Sequence, residues 1–177
     1  EEGGLLASVI DGEVAALETL RAAVTDADIR NFATCLRSAR RVYLLGQGHA
    51  ASLSKLMALR LRRSGYDATD LDDDRNAMSM ALNGLGREDV IWLFSFRAPH
   101  AAVVLALTYE GGAPIRPVPD HQIRVSRGRA GETQSLTVPM AVANAVILDL
   151  AGIDEGRSLA ALENYRKFRA TLPPEWQ

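Results

Sequence analysis

Two short stretches carry the residue types that do chemistry in this chain. The first is Gly46-Gln47-Gly48-His49-Ala50-Ala51-Ser52, which follows the apolar run Val42-Tyr43-Leu44-Leu45 and leads into a helical pattern. Strand, glycine loop and helix in that order build an anion site. Glycine lets the backbone turn sharply and lets a ligand approach closely. The helix then presents unpaired N–H groups and its positive dipole end. An anion there gains about 0.3–1 kcal/mol when exposed and roughly 2 when partly buried. Ser52, and less favourably Ser54, can donate a hydroxyl to a phosphate or bond local backbone instead. His49 is either a ligand contact or an exposed loop residue.

The second stretch is Ser95-Phe96-Arg97-Ala98-Pro99-His100, after the strongly apolar Val90-Ile91-Trp92-Leu93-Phe94. Arg97 offers a planar fork of donors suited to phosphate or carboxylate. A charge-assisted bond of that kind contributes about 1.5–3 kcal/mol. Ser95 follows a buried strand, so its hydroxyl is expected at the sheet rim. His100 can add to the same site or sit on the surface of its helix.

The elements that must position these stretches follow from apolar spacing. Residues 5–24 and 25–38 read as two leading helices, the second capped at Thr25 or Asp26. Strand 41–45 is followed by a helix from Ala50 to Ser64-Gly65, with Gly65 as its closing residue. Arg60, Arg62 and Arg63 suit the negative end of that helix. Tyr66 to Leu71 reads as a short strand and Asn76 to Leu85 as a short helix, its Met78 and Met80 filling core. Continuous apolarity over 90–94 marks a central parallel strand covered on both faces. The sequence predicts a helix from Pro99 through Val103, Val104, Leu107 and Thr108 to Gly111-Gly112. An edge or irregular strand over Ala113–Val118 and a short strand at Ile123-Arg124-Val125 come next. Ser135–Leu150 is an apolar helix, and 157–172 a terminal one. Strands alternating with helices give an α/β class: a three-layer sandwich, flavodoxin- or Rossmann-like, with a mostly parallel central sheet flanked by helices. Right-handed crossovers put the strand C-termini, and so both polar stretches, on one rim. Ligands of open α/β sheets bind on that rim.

The totals narrow the function class. The 177 residues fit a single domain, 47% hydrophobic and 24% charged. A net charge of −2 gives no general basic field for nucleic acid. The lone Cys35 excludes an internal disulfide and fits a reducing, cytoplasmic setting. No apolar run approaches the roughly 20 residues of a membrane helix. The chain opens Glu1-Glu2, without a basic export region or a starting Met.

Gly46, Gly48 and Ala51 also match G-x-G-x-x-G/A, and Asp70 or Asp72 supplies an acid at about the distance a dinucleotide site expects, roughly 20 residues on. Two leading helices and a second rim loop are not required by such a domain. Asp72-Asp73-Asp74 reads as a solvated loop, with no His, Cys or further acid cluster to make it a metal site. Lys55 and Lys167 are the only lysines, so Schiff-base chemistry has little to draw on. General-base candidates are Glu132, Glu110, His100 and His49, none in a motif that assigns its role.

With these residues in view, the chain resembles a SIS (sugar isomerase) domain, and most closely the C-terminal effector domain of RpiR-type transcriptional regulators. The resemblance runs through the leading helices, Val42–Ser52, Arg63-Ser64-Gly65-Tyr66, Asp89–Arg97, Tyr109-Glu110-Gly111-Gly112-Ala113 and Gln134-Ser135. The second stretch departs from the usual Ser-x-Ser-Gly-x-Thr, keeping its first Ser, and is similar to a Ser-Phe-Arg variant of RpiR-like regulators. Pro119-Asp120 stands where Thr-Asp and Ser-Pro-Leu-Ala usually follow. The resemblance implies an anionic metabolite, a phosphosugar above all, bound by hydroxyls and backbone N–H groups in a homodimer or higher homo-oligomer. DNA would be reached only through a helix-turn-helix domain that is not among these residues, and no membrane contact is implied. Residues and resemblance together give a ligand set of Gly46, Gln47, Gly48, His49, Ala50, Ser52, Ser95, Arg97, His100, Glu132 and Ser135. No catalytic residue, metal or cofactor is assigned. The alternatives are a sugar-phosphate aldose–ketose isomerase and a Rossmann-type nucleotide-binding domain.

Overall fold

The computed structural model describes residues 4–46, 48–71, 75–95, 104–109, 118–125 and 135–173. Helices α1 (Leu5–Ala23) and α2 (Asp26–Ser38) precede β1 (Arg41–Gly46) and α3 (Ala50–Arg63). Then come β2 (Ala68–Asp70), α4 (Arg75–Asn83), β3 (Asp89–Ser95), β4 (Val104–Tyr109), β5 (His121–Val125), α5 (Thr137–Ile153) and α6 (Arg157–Ala170). The five strands form one sheet in the order β2-β1-β3-β4-β5, parallel at every pairing. The continuously apolar β3 is central, as its composition requires.

Side chains alternate across the sheet. Val42, Leu44, Trp92, Phe94, Ile123 and Val125 face a core shared with Phe32 and Leu36 of α2, Leu53 and Met57 of α3, and Val142 and Val146 of α5. Tyr43 and Ile91 face the other way, with Leu71, Leu45 and Met78. Met78 thus fills core as expected, but Met80 is exposed to solvent.

One predicted element is overturned. Val104–Tyr109 is not the second half of a helix; it is strand β4, registered between β3 (Ile91 with Val104, Ser95 with Thr108) and β5 (Leu105 with His121). A short apolar run satisfies a buried strand and a buried helix equally well by periodicity. Backbone pairing on both sides decides for the strand. The start of the predicted helix, at Pro99, and residues 113–117 of the predicted edge strand lie outside the described residues. Val118 is exposed and in no strand, and the edge is formed by β5, a longer version of the predicted 123–125 segment.

The predicted cap at Thr25 is a complete capping box. The Asp28 N–H donates to Thr25 Oγ1 at 3.2 Å, and the Thr25 N–H donates to Asp28 Oδ2 at 2.9 Å. The Thr25 hydroxyl, which donates to Asp28 Oδ2 at 2.7 Å, and then the Thr25 N–H hold the Asp28 carboxyl below its ordinary range. Thr25→Ala is expected to cost about 1 kcal/mol and to lower the melting temperature by roughly 2–4 °C. A calorimetric melt checks this, and an unchanged midpoint counts against the box in solution.

The α5–α6 junction turns on Asp154, a buried carboxylate. It accepts from the Ser158 hydroxyl, from the Ser158 N–H at 2.9 Å, from the Gly156 N–H at 3.2 Å and from the Tyr66 hydroxyl at 3.2 Å. Burial pushes this carboxyl up, but the hydrogen bonds from Ser158, Tyr66 and Gly156 outweigh it and hold it below its usual range. Burial, then the Asp154 charge, pushes Tyr66 up to about 12. Tyr66 follows α3 in the chain, so this network fastens α6 beside the end of α3.

Candidate functional site

The sheet order places the site. In a 2-1-3-4-5 sheet the chain winds outward in opposite directions from β1 and β3, and the crevice between their C-terminal ends is where ligands bind. Gly46, the last residue of β1, pairs with Phe94, and Ser95 follows as the last residue of β3. Both predicted stretches therefore begin at neighbouring points on the same rim, at the switch point. The order is not the 3-2-1-4-5-6 arrangement of dinucleotide-binding folds, although Asp70, paired with Leu44, does end β2.

The first loop is wound tightly onto α3. A Cβ on Gly46 would stand 2.4 Å from the Ala50 carbonyl oxygen and 2.7 Å from its carbon, so only glycine fits. Gly48 has φ +59, a left-handed conformation that side chains disfavour. The Ala51 N–H donates to the Gly48 carbonyl at 3.1 Å, closing the turn. His49, the N-cap of α3, makes no side-chain capping bond. The first turn of α3 sits at this rim, where the helix dipole is positive. Ala50 is buried, while His49 and Ser52 are exposed at the mouth. Ser54 is buried and donates to the Ala51 carbonyl at 3.0 Å, so its hydroxyl is structural.

Ser135 precedes α5. Its hydroxyl donates to Thr137 Oγ1 at 3.0 Å and accepts from the Thr137 N–H at 3.0 Å, bracing the first turn. The far end of α5 lies against the end of α2, where Arg37 pairs with Glu155 at 2.7 Å just before β1 begins. The start of α5, with Ser135, is therefore turned toward the rim end. Among the predicted ligand residues, the fold brings Gly46, Gly48, His49, Ala50, Ser52 and Ser95 to one end and puts Ser135 on that side. Gln47, Arg97, His100 and Glu132 lie outside the described residues, as do Glu110 and Asp72. The end of β4, with Thr108 beside Ser95, also reaches this rim. Sequence reasoning missed it because that segment read as helix.

A cleft of about 350 Å³ opens at the other end of the sheet, lined by Cys35, Ala39, Val90 and His121 among others. No predicted ligand residue lines it. Burial, and then the Asp120 charge, pushes the Cys35 thiol up, which makes it a poor nucleophile.

What the rim can do chemically is hold an anion with backbone amides, a helix dipole and short hydroxyls. No profile of a known protein family matches the sequence, and no curated protein does. Solved structures are similar. One is the sugar isomerase domain of an RpiR transcription factor from Sphaerobacter thermophilus, with 18% identity and a TM-score of 0.81 over 92% of this chain and 98% of that one. Another is the NanR protein of Vibrio vulnificus complexed with ManNAc-6P, with 14% identity and a TM-score of 0.81 over 98% of this chain and 71% of that one. A third is the phosphoheptose isomerase GmhA of Neisseria gonorrhoeae, with 14% identity and a TM-score of 0.64 over 84% of this chain and 97% of that one. The fold is that of sugar isomerase domains.

Proposed function

We propose that this chain is a cytoplasmic metabolite-sensing domain of an RpiR-like transcriptional regulator, taking a phosphosugar or a related anion. The observation that carries the proposal is the glycine loop wound onto the start of α3, directly beside Ser95 at the switch point. Support comes from the fold shared with an RpiR transcription factor and with the NanR protein, the latter solved with ManNAc-6P bound. In this reading the phosphate sits on the first-turn amides of α3, and the Ser52 and Ser95 hydroxyls and the Arg97 guanidinium complete its shell. Binding shifts how two copies pack and so repositions DNA-binding domains carried elsewhere in the polypeptide.

Titration calorimetry with a panel of sugar phosphates, N-acylated hexosamine 6-phosphates included, tests this. At least one is expected to bind, with Arg97→Ala weakening it by 10-fold or more, as loss of a charge-assisted bond implies. Absence of binding across the panel would sink the proposal. An isomerase is the second reading, favoured by the shared fold of GmhA. It needs a general base poised over the sugar. Aldose–ketose exchange followed by proton NMR separates the two, because turnover of any panel member would replace the sensor reading with the enzymatic one.

A further inference from the structure

Helix α3 is a 14-residue rod with the candidate site at one end and α6 at the other. At about 1.5 Å per residue it is roughly 21 Å long. Leu53, Met57, Ala58 and Leu61 are buried along its length, so it behaves as one packed body. Its first turn stands in backbone contact with Gly46, with no room for a Cβ between them. Its last turn ends on Gly65, at φ +81, where an added Cβ would meet Ala161 Cβ at 3.1 Å and Arg157 Cγ at 3.5 Å. The end of α3 is therefore seated on the first turns of α6.

Among the described residues, α6 has little else to hold it. Ser158 is its one buried residue, and Leu159, Leu162, Tyr165 and Phe168 are exposed. Ser158 donates to Asp154 Oδ2 through its N–H at 2.9 Å and through its hydroxyl. The same Oδ2 accepts from the Tyr66 hydroxyl at 3.2 Å. Arg157 lies 4.8 Å over the Tyr66 ring, and Arg63, in the last turn of α3, lies 5.2 Å over the Tyr165 ring. Each of these contacts joins α6 to the end of α3 or to Asp154, the C-cap of α5. An element with so little buried apolar surface belongs to the part of a fold that opens at low cost.

We propose that α6 reports the occupancy of the rim: a ligand on the first turn of α3 tightens the docking of α6 through the Tyr66–Asp154–Ser158 joint. When α6 leaves, Gly65 and Tyr66 lose their seat, and α3 is free to slide along its axis. Its first turn has no slack against Gly46, so a slide disturbs the loop that takes the anion. The ligand therefore binds the docked form better, which is the difference in affinity that a population shift requires. The inference rests on the proposed sensor reading and names the element that the sensor moves.

Hydrogen exchange read by mass spectrometry tests it on wild type, Tyr66→Phe and Ser158→Ala, with circular dichroism confirming that each folds. Without ligand, the amides of α6 are expected to exchange at least fivefold faster in both variants, while those in the body of α5 hold. Equal rates in all three chains would overturn the joint. A panel of aldose and N-acylated hexosamine 6-phosphates is then added, with calorimetry reporting which of them bind. A bound sugar phosphate is expected to slow α6 exchange at least threefold in the wild type and to leave it unchanged in Tyr66→Phe. A tyrosine with a merely structural role would loosen α6 without cancelling its response. Binding that leaves α6 of the wild type unaltered, or slows it equally in Tyr66→Phe, would overturn the inference and spare the sensor. Binding by no member of the panel would remove both.

Discussion

A Gly46→Ala chain is expected to lose sugar-phosphate binding and to melt roughly 6–12 °C below the wild type, the shift for about 3 kcal/mol in a chain of this size. The added methyl has nowhere to go. Its nearest neighbours are the carbonyl oxygen and carbon of Ala50 and the amide nitrogen of Ala51, at 2.4, 2.7 and 3.0 Å. All three are backbone atoms in the first turn of α3, so no rotamer change relieves the contact. Either α3 backs away from the end of β1 or the loop unwinds, and both scatter the amides that would face the anion. Overpacking against flexible side chains costs about 1–3 kcal/mol, and a backbone contact belongs at the upper end. Gly48→Ala is the control. Its methyl enters open space, and its cost is the left-handed conformation alone, about 1–2 kcal/mol. Thermal melts and calorimetric titration of both variants decide the matter. Equal melting temperatures for the two, with binding retained in Gly46→Ala, would mean that the loop does not pack as described.

The contrast between these glycines also shows how far the residues alone could be read. A glycine pair between a β-prone run and a helical pattern announces strand, turn and helix, so the rim loop and α3 were legible. So was the place of β3, because only a strand covered on both faces tolerates Val-Ile-Trp-Leu-Phe without a polar break. Which glycine is forced by contact and which by conformation was not legible, since Ala50 meets Gly46 only after the turn has formed. The strand at Val104–Tyr109 was hidden for a related reason: its periodicity is ambiguous, and its neighbours in the sheet, not its own pattern, select the extended form. Helix α1 was legible as a helix. That only Ala16, Leu17 and Leu20 find cover is a property of where the body of the fold ends. The resemblance to sugar isomerase domains carried the fold correctly, while the role of the Ser95–His100 variant lies with residues beyond those described.

Asp89 is the residue whose importance local pattern hides most completely, and Asp89→Ala is expected to cost about 2–4 kcal/mol at pH 7. Its carboxylate is fully buried at the start of β3. It accepts from Arg40 Nε at 3.1 Å and Nη2 at 2.9 Å, from Arg41 Nη2 at 3.0 Å, and from the Gly86 N–H at 2.9 Å. One carboxylate thereby ties the start of β1 and the turn before β3 together. Arg40 is half exposed and Arg41 about a third. Arg40→Ala or Arg41→Ala leaves the other guanidinium and the Gly86 N–H on the buried carboxylate, so either alone should cost less than Asp89→Ala, about 1–2 kcal/mol. The Arg40 hydrogen bonds, outweighing burial and aided by Arg41 and Gly86, hold the Asp89 carboxyl far below its ordinary range. The sign of the pH dependence follows. Between the unfolded value, about 3.9, and the much lower folded one, the unfolded chain binds the proton and the native chain does not, so stability falls as pH falls. The contribution is complete above about pH 5 and has lost about 1 kcal/mol by pH 3. Asp89→Asn removes this titration. Denaturant unfolding of wild type and Asp89→Asn should therefore show a gap that narrows by that amount between pH 7 and pH 3. A gap of constant size would mean that the buried carboxylate is not held ionised by its two arginines.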